Sequence, residues 1–360
     1  MVVRKKEEKI NYSLEKLYGK YGYRYYNMSN FEEYDLYARN RNFLASSRIL
    51  SFNDVDGRLM AFKPDMTLSI IKNTDDDDTV KKIYDTENVV RVPKGGDGFK
   101  EILQTGLECI GDIDLYQTSE VITLAVRSLE EISDEYILDV SDLGIISGLI
   151  GGLDEGLQAE VLQKASEKNI HGIRSLLADE PEIMELVTGI TGIYDTLENG
   201  IARLEALDLP YASREALAEL KKLSALLVRE GVAGNIYTDF SIVDDQTYYN
   251  GIIFKGFVEG IASRVISGGR YDNLMKRMGK RNGAIGFAVY MDLLEAIDEG
   301  TDEFDCDILI TYDGSSDMDK VIETREKYME EGFSVRVQKD DEVSAKKTVK
   351  IKGGEVVEIG

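Results

Sequence analysis

The sequence of 360 residues contains few of the residues from which many catalytic and metal sites are built, with one histidine, two cysteines, four prolines and no tryptophan. A single histidine excludes a paired-histidine metal site, and the two cysteines, Cys109 and Cys306, lie far apart in the sequence. A Ser–His–acid triad would have to use His171, which lies in a Leu-rich stretch typical of a helix. We therefore expect no metal site, no catalytic triad and no cofactor.

Signals for export or membrane insertion are also missing. Two isolated cysteines provide no disulfide framework, which favours a reducing compartment. The basic segment from Met1 to Lys9 does not lead into an apolar stretch, and the sequence has no run of 18 apolar residues. We expect a cytoplasmic protein without a membrane span.

The charge balance is strongly acidic. The 43 basic and 67 acidic residues give a formal net charge of −24. This balance argues against a protein that binds nucleic acid mainly through a basic surface, although a local basic face remains compatible with it. The length predicts two or three domains, and a hydrophobic content of 43% is typical of a globular protein.

The hydrophobic patterns predict an α+β fold, with a mostly antiparallel sheet and helices. Residues 147–230 are predicted to be a helical insertion, in which the clearest helix runs from Ser213 to Glu230, with Ser213 as its cap and a stripe of leucines on one face. An acidic linker, from Asp298 to Phe304, precedes a small α/β module at 304–360. The predicted domains are therefore 1–297 and 304–360.

Four strings, in matching order and spacing, resemble the catalytic domain of histidyl-tRNA synthetase, a class II synthetase. The resemblance covers about residues 5–297 and implies the class II antiparallel sheet flanked by helices. The strings are Phe62-Lys63-Pro64-Asp65-Met66-Thr67; Val90-Arg91 followed by Gln104-Thr105-Gly106-Leu107-Glu108; Tyr248-Tyr249-Asn250-Gly251-Ile252-Ile253-Phe254; and Gly268-Gly269-Arg270-Tyr271-Asp272-Asn273-Leu274 continuing to Ile285-Gly286-Phe287-Ala288.

The departures from the synthetase pattern concern the groups that hold ATP. Adenylation needs preorganised cations, chiefly arginines, around the phosphates. Arg91 matches the arginine of motif 2, but the acid expected two residues later is Pro93. Asp244 stands where the family has its catalytic arginine, and Leu293 stands where the terminal motif has another. The resemblance therefore implies that the chain has lost adenylation and has no catalytic residues.

The amino-acid end of the pocket is better preserved, and the resemblance implies that it binds histidine. Carboxylates, an amide and phenols suit an ammonium group and an imidazole N–H. A purely structural role is also open, in which the acid and amide satisfy buried backbone groups, the tyrosines belong to the core and the glycine pair forms a tight turn. The candidate residues are Asp65, Thr67, Arg91, Gln104, Glu108, Tyr248, Tyr249, Gly268 and Gly269.

A paralogous group within this family combines the same features, namely the regulatory subunits of ATP phosphoribosyltransferase. The string Phe62 to Thr67 and the stretch Leu138 to Ile145 are similar to that group. The resemblance implies a partner, the short-form catalytic subunit, a dimer within a hetero-octamer, and histidine as the feedback effector of histidine biosynthesis. The C-terminal module resembles a shortened anticodon-binding domain, which argues against tRNA as a partner. The alternatives are a divergent histidyl-tRNA synthetase and a free-standing amino-acid sensor.

Overall fold

The structure is a computed structural model that describes residues 6–44, 48–77, 79–92, 96, 98–243, 248–296, 304–339 and 342–358. The chain divides into two compact units. One comprises Ile10–Ala296, and the other comprises Met1–Lys9 together with Ile297–Gly360.

The first part of the larger unit alternates helices with strands, and two long strands follow each other directly. The second of these strands leads into a helix that begins at a capping box, in which Asp114 and Gln117 satisfy each other's backbone N–H groups. The elements are α1 (Lys6–Lys20), β1 (Arg24–Tyr25), β2 (Phe31–Glu33), α2 (Tyr34–Arg39), β3 (Ser51–Asn53), β4 (Leu59–Phe62), α3 (Thr67–Asn73), β5 (Lys81–Arg91), β6 (Lys100–Gly111), α4 (Leu115–Ile132) and β7 (Tyr136–Asp142).

The second part begins with a helical region and returns to the sheet. Short 3-10 helices follow the last helix of that region and the last strand of the sheet. The elements are α5 (Leu143–Ile150), α6 (Glu155–Ser166), α7 (Ile170–Leu176), α8 (Pro181–Thr191), β8 (Tyr194–Thr196), α9 (Leu197–Glu205), α10 (Tyr211–Arg229), β9 (Ile236–Asp239), β10 (Ile252–Val258), β11 (Ile266–Arg270), α11 (Asp272–Arg277) and β12 (Gly283–Tyr290).

Among the described residues, nine strands form the main sheet in the order β1-β5-β6-β12-β11-β10-β7-β9-β8. The six consecutive strands from β5 to β7 pair antiparallel, while β1 pairs parallel with β5 and β7 pairs parallel with β9. Strands β2, β4 and β3 form a separate antiparallel sheet. The predicted α+β fold with a mostly antiparallel sheet flanked by helices is confirmed.

The helical region differs from its prediction in two places. The leucine stripe of α10 is buried as predicted, but the helix begins at Tyr211 after Pro210, so Ser213 lies inside it and is not its cap. The buried Ser213 hydroxyl instead donates to the Ile145 carbonyl oxygen at 2.7 Å. Strand β8 also interrupts the helices, because it pairs antiparallel with β9 at the edge of the main sheet.

Further findings concern the strands that carry the family strings. Strand β10 begins at Ile252, inside the third string, so Tyr248 and Tyr249 precede it. The glycine pair does not form a tight turn, because Gly268 and Gly269 lie inside β11 and pair with β10 and β12. Asp244 and Pro93, where the family has charged residues, lie outside the described residues.

The smaller unit contains a four-stranded sheet in the order β14-β13-β15-β16, with one helix after its first strand. Strand β13 pairs parallel with β14 and β15, and the final hairpin is antiparallel. In the part of the chain that is described, no helix has the length and apolar character needed to cross a membrane. The elements of this unit are β13 (Cys306–Tyr312), α12 (Met318–Glu330), β14 (Val335–Gln338), β15 (Ala345–Lys352) and β16 (Glu355–Glu358).

Candidate functional site

A cavity of about 120 Å³ lies on one face of the main sheet, where small residues from three strands meet. Gly106 of β6 is opposite Ala288 of β12, which is opposite Ser267 of β11, and all three line the cavity. Residues directly opposite each other project to the same face, so this middle row leaves space above the sheet. Asp85 of β5 completes the row, opposite Gly106.

Two further rows bound the cavity along the strands. Residues two apart on a strand share a face and are separated by about 7 Å. On one side of the middle row, Glu108 of β6 is opposite Gly286 of β12. On the other side, Gln104 of β6 is opposite Tyr290 of β12. The cavity therefore extends along the strands from Glu108, past Asp85, to Gln104.

Glycines let the carboxylates lie across the neighbouring strands. A Cβ atom added at Gly106 would lie 2.8 Å from the Oδ2 atom of Asp85. A Cβ atom at Gly286 would overlap the Oε2 atom of Glu108 and lie 2.5 Å from the Leu107 carbonyl oxygen. Both glycines are therefore required by the direction in which the two acids point over the sheet.

At one side of the cavity, which we call the glutamate end, the polar groups satisfy each other. Its members are Glu108, Thr67 and Tyr271. The Thr67 hydroxyl donates to Glu108 Oε1 at 2.7 Å, and the Tyr271 hydroxyl donates to Glu108 Oε2. Burial raises the pKa of Glu108 to about 8, against the opposing effect of these two hydrogen bonds.

Two tyrosines cover the glutamate end. The ring of Tyr248 lies 5.7 Å from that of Tyr271 and 4.6 Å from that of Tyr249, measured between centroids. Burial raises the pKa of Tyr248 well above its usual value, and the carboxylates of Asp65 and Glu108 add to the effect. The Tyr248 hydroxyl is therefore uncharged and can serve only as a neutral hydrogen-bond partner for a ligand.

The opposite side, which we call the arginine end, consists of Gln104, Arg91 and Arg264. Arg91 Nη2 donates to Gln104 Oε1 at 2.6 Å. The Nε atoms of both arginines and the Nε2 atom of Gln104 are buried and have no hydrogen-bond partner among the described residues. This end therefore contains buried donors that no described residue satisfies.

Asp65 approaches the cavity from the start of α3. Its Oδ1 atom accepts the backbone N–H of Leu68 at 3.0 Å. Burial raises the pKa of Asp65, and the neighbouring Arg91 partly opposes that shift. Asp65 is therefore already engaged with the helix that positions it.

Asp85, in the middle row, has no comparable support. Its side chain is 0% exposed, and neither carboxylate oxygen has a hydrogen-bond partner among the described residues. Burial raises the pKa of Asp85 to about 7, and the positive charge of Lys63 partly opposes the shift. Lys63 itself forms its ion pair with Glu87, at 3.6 Å between Nζ and Oε2.

Comparison with known proteins agrees with this architecture. The family model of histidyl-tRNA synthetase matches residues 3–294. The chain belongs to the histidyl-tRNA synthetase family. The resemblance found in the four strings is thereby confirmed.

The chain is similar to proteins named as regulatory subunits of ATP phosphoribosyltransferase and to solved structures with the same fold. The ATP phosphoribosyltransferase regulatory subunit of Acetivibrio thermocellus is 26% identical over 330 residues, which cover 85% of this chain and 76% of that protein. A crystal structure described as an ATP phosphoribosyltransferase regulatory subunit/histidyl-tRNA synthetase from Bacillus halodurans has a TM-score of 0.79 at 22% identity, covering 93% of this chain and 88% of that one. The ATP phosphoribosyl transferase (HisG:HisZ) complex from Thermotoga maritima has a TM-score of 0.63 at 19% identity, covering 78% and 96%.

Most residues proposed from the family strings meet at the cavity, but the glycine pair does not. Gly268 and Gly269 are not among the residues that line it. A Cβ atom at Gly268 would lie 2.6 Å from the Phe254 ring, and one at Gly269 would lie 2.8 Å from the Tyr249 ring. Packing within the sheet therefore accounts for both glycines. The residues that line the cavity as proposed are Asp65, Thr67, Arg91, Gln104, Glu108, Tyr248 and Tyr249.

Among the side chains at the cavity that sequence reasoning missed are Tyr271, Arg264 and Asp85. Tyr271 belongs to a family string and could have been found there, because it follows the glycine pair. Arg264 lies in the connection between β10 and β11, outside all four strings, and it adds a second guanidinium to the cavity. Asp85 lies in β5 between two strings, and no local pattern marks it.

The remaining predictions concern the lost arginine positions and metal binding. Leu293 lies in the 3-10 helix Met291–Ala296 and does not line the cavity. Within the described ranges, no group of three histidine, cysteine or acidic side chains is arranged to hold a metal ion. His171 is an exposed residue of α7.

Proposed function

We propose that this chain is a non-catalytic regulatory subunit of ATP phosphoribosyltransferase, which acts with the short-form catalytic subunit and binds histidine in the cavity as a feedback effector. The observation that carries the proposal is the combination of relatives named as regulatory subunits with a cavity that presents carboxylates at one end and guanidinium groups at the other. The complex similar to this chain is described as HisG:HisZ, which supports a catalytic partner.

The cavity suits the three functional groups of histidine. The imidazole fits the glutamate end, where Glu108, Tyr248 and Tyr271 offer acceptors and aromatic surface. The ammonium fits the acids, among them Asp65, and the carboxylate fits the arginine end. Histidine can inhibit an assembly only if it binds the inactive state more tightly than the active state, so the unsatisfied polar atoms of the cavity provide a way to couple ligand binding to conformation.

The domain roles follow from the same proposal. Residues 1–297 serve as a catalytic-type domain retained for binding, with the insertion at about 147–230. Residues 304–360 form a shortened anticodon-binding-like module that does not bind tRNA. The chain associates as a dimer within a hetero-octamer in the cytoplasm.

The test combines the purified chain with the short-form catalytic subunit and measures formation of N1-phosphoribosyl-ATP, with and without histidine. We expect the chain to raise the activity above that of the catalytic subunit alone, and histidine to lower it again. No increase over the catalytic subunit alone contradicts the proposal. An increase that histidine does not reverse supports the partnership but contradicts the effector role.

A divergent histidyl-tRNA synthetase is the second candidate, and Arg264 is the observation in its favour. Its guanidinium adds a positive group to a cavity that also contains Arg91. The arginine positions of the family pattern nevertheless hold Asp244 and Leu293, so the positive groups that adenylation requires there are missing from the sequence. Incubation with tRNA, ATP and labelled histidine separates the candidates, because only a synthetase forms histidyl-tRNA.

A further inference from the structure

Asp85 is a buried acid that the family strings do not assign to any role. Its two carboxylate oxygens lack a hydrogen-bond partner among the described residues, although the side chain is completely buried and lines the cavity. A buried polar group without a partner is costly, and a buried charge is more so. Such a group persists when another molecule completes its hydrogen bonds, or when it balances a neighbouring charge.

The neighbouring charges balance Asp85 only in part, because Lys63 favours its ionisation without a hydrogen bond to it among the described residues. Lys63 has its ion pair with Glu87, at 3.6 Å. The other groups that act on Asp85 electrostatically are Glu87 and Asp65, and both are acids that disfavour its ionisation. Burial and these acids therefore raise the pKa of Asp85, and a cation bound in the cavity would favour its ionised form.

The position of Asp85 along the strands fits the ammonium group of an amino acid. Its row lies between that of Glu108 and that of Gln104, one step of about 7 Å from each. A ligand with its side chain at the glutamate end and its carboxylate at the arginine end therefore places its α-amino group over the middle row.

Asp65 is the other candidate acid for the ammonium, and one of its oxygens is already engaged. Its Oδ1 atom already accepts a backbone N–H from Leu68, at the start of α3. Neither oxygen of Asp85 has a hydrogen-bond partner in the described part of the chain, and the absence of a Cβ atom at Gly106 lets this carboxylate lie over the floor of the cavity.

We propose that Asp85 accepts the ammonium group of the amino acid bound in this cavity and selects ligands that carry a free α-amino group. This inference rests on the histidine binding proposed above, and it names the residue that recognises one of the three groups of histidine. A charge-assisted hydrogen bond of this kind corresponds to about 10- to 100-fold in affinity.

The test measures binding by calorimetry for two ligands, L-histidine and 3-(imidazol-4-yl)propanoate, which lacks only the amino group. The proteins are the wild type, Asp85→Asn, Asp85→Ser and the control Glu101→Gln, which changes an exposed acid on β6. We expect the wild type and the control to prefer histidine by at least about tenfold. Both Asp85 variants should bind histidine about 10- to 100-fold more weakly than the wild type does. Their affinity for 3-(imidazol-4-yl)propanoate should stay within about threefold of the wild-type value.

Each other outcome counts against a specific statement. If histidine binds to Asp85→Asn or Asp85→Ser as it does to the wild type, Asp85 is not the ammonium acceptor. If the affinity for both ligands falls equally, Asp85 only maintains the shape of the cavity, and the inference is wrong. If the wild type does not bind histidine at all, both the proposed effector role and the proposed role of Asp85 are wrong.

Discussion

The two ends of the cavity differ in how completely their buried polar atoms are satisfied. At the glutamate end, Glu108 accepts hydrogen bonds from Thr67 and Tyr271. In the middle row and at the arginine end, the carboxylate of Asp85 and several side-chain N–H groups have no partner among the described residues. A satisfied network holds its own shape, whereas unsatisfied groups gain most from a ligand. The difference teaches that the glutamate end is preorganised, whereas the middle row and the arginine end have more hydrogen bonds left for a ligand to complete.

The largest expected effect on stability comes from a methyl group placed where the Glu108 carboxylate now lies. In Gly286→Ala, the new Cβ atom meets the Glu108 carboxylate and the Leu107 carbonyl oxygen, so the strands must shift. We expect the free energy of unfolding, measured with urea, to fall by about 3 kcal/mol.

Gly189→Ala is the matched control for this substitution. Gly189 is exposed in α8, and a Cβ atom there has no neighbour within 4 Å. Because alanine favours the helix, the control should raise stability by up to about 1 kcal/mol. A loss below about 0.5 kcal/mol for Gly286→Ala contradicts the packing described here.

The next effect tests whether the hydrogen bonds of the glutamate end stabilise the fold. Tyr271→Phe removes a buried donor to Glu108 and leaves the ring in place. We expect the free energy of unfolding to fall by about 2 kcal/mol.

Tyr211→Phe removes a similar Tyr–Glu hydrogen bond, with Glu215, from a side chain that is 69% exposed. This surface control should change stability by less than about 0.5 kcal/mol. Equal losses in the two variants would show that the buried network has no special role.

A substitution in the middle row should raise the free energy of unfolding, whereas the substitutions at the glutamate end should lower it. The pKa of Asp85 rises from 3.8 to about 7 on folding, so the folded protein retains a proton that the unfolded chain releases in this range. The free energy of unfolding therefore falls as the pH rises from about 4 to 7, because unfolding releases this proton. Asp85→Asn has no such proton to lose.

Without ligand, Asp85→Asn should thus be more stable than the wild type at pH 8, by about 2 kcal/mol, with no difference near pH 4. Thermal or urea denaturation across this range measures the effect. A wild type that is more stable than Asp85→Asn at pH 8 would mean that the carboxylate is needed in ionised form next to Lys63.

The smallest effect on stability is expected at the arginine end. Arg264→Gln removes a partly exposed guanidinium that has an unsatisfied buried Nε atom, so the free energy of unfolding should change by less than about 0.5 kcal/mol. Histidine affinity, measured by calorimetry, should fall by about 3- to 10-fold because the ligand carboxylate loses a donor.

Histamine, which lacks the carboxylate, supplies the comparison for this variant. It should bind to the wild type and to Arg264→Gln equally. An equal loss of affinity for both ligands would place Arg264 in the structure of the site and not in contact with the carboxylate.

Much of the fold could be predicted from the sequence, because the family strings fix which segments become the central strands. Local patterns alone placed the boundaries less well. The leucine stripe of α10 correctly predicted its buried face. The prediction of Ser213 as the cap was wrong because serine is common at helix N-termini, and its sequence neighbours do not show that it is buried inside the helix. Strand β8 was not predicted because three residues are too few to show the alternation of apolar and polar side chains that is typical of a strand.

The site was predictable where a motif carries the residue and not elsewhere. Thr67, Gln104 and Glu108 lie in family strings and meet at the cavity. Asp85 and Arg264 reach it only because of strand register and a connection between strands, which involve partners far apart in the sequence. Spacing along the chain contains no information about such neighbours.

The central claim is that this cavity binds histidine without activating it. The most direct measurement is histidine-dependent exchange of pyrophosphate into ATP by the purified chain, at histidine concentrations that saturate binding by calorimetry. The account predicts that exchange stays at the level seen without histidine. Exchange that rises with histidine concentration would contradict it, because the chain would then form an adenylate and would be a synthetase.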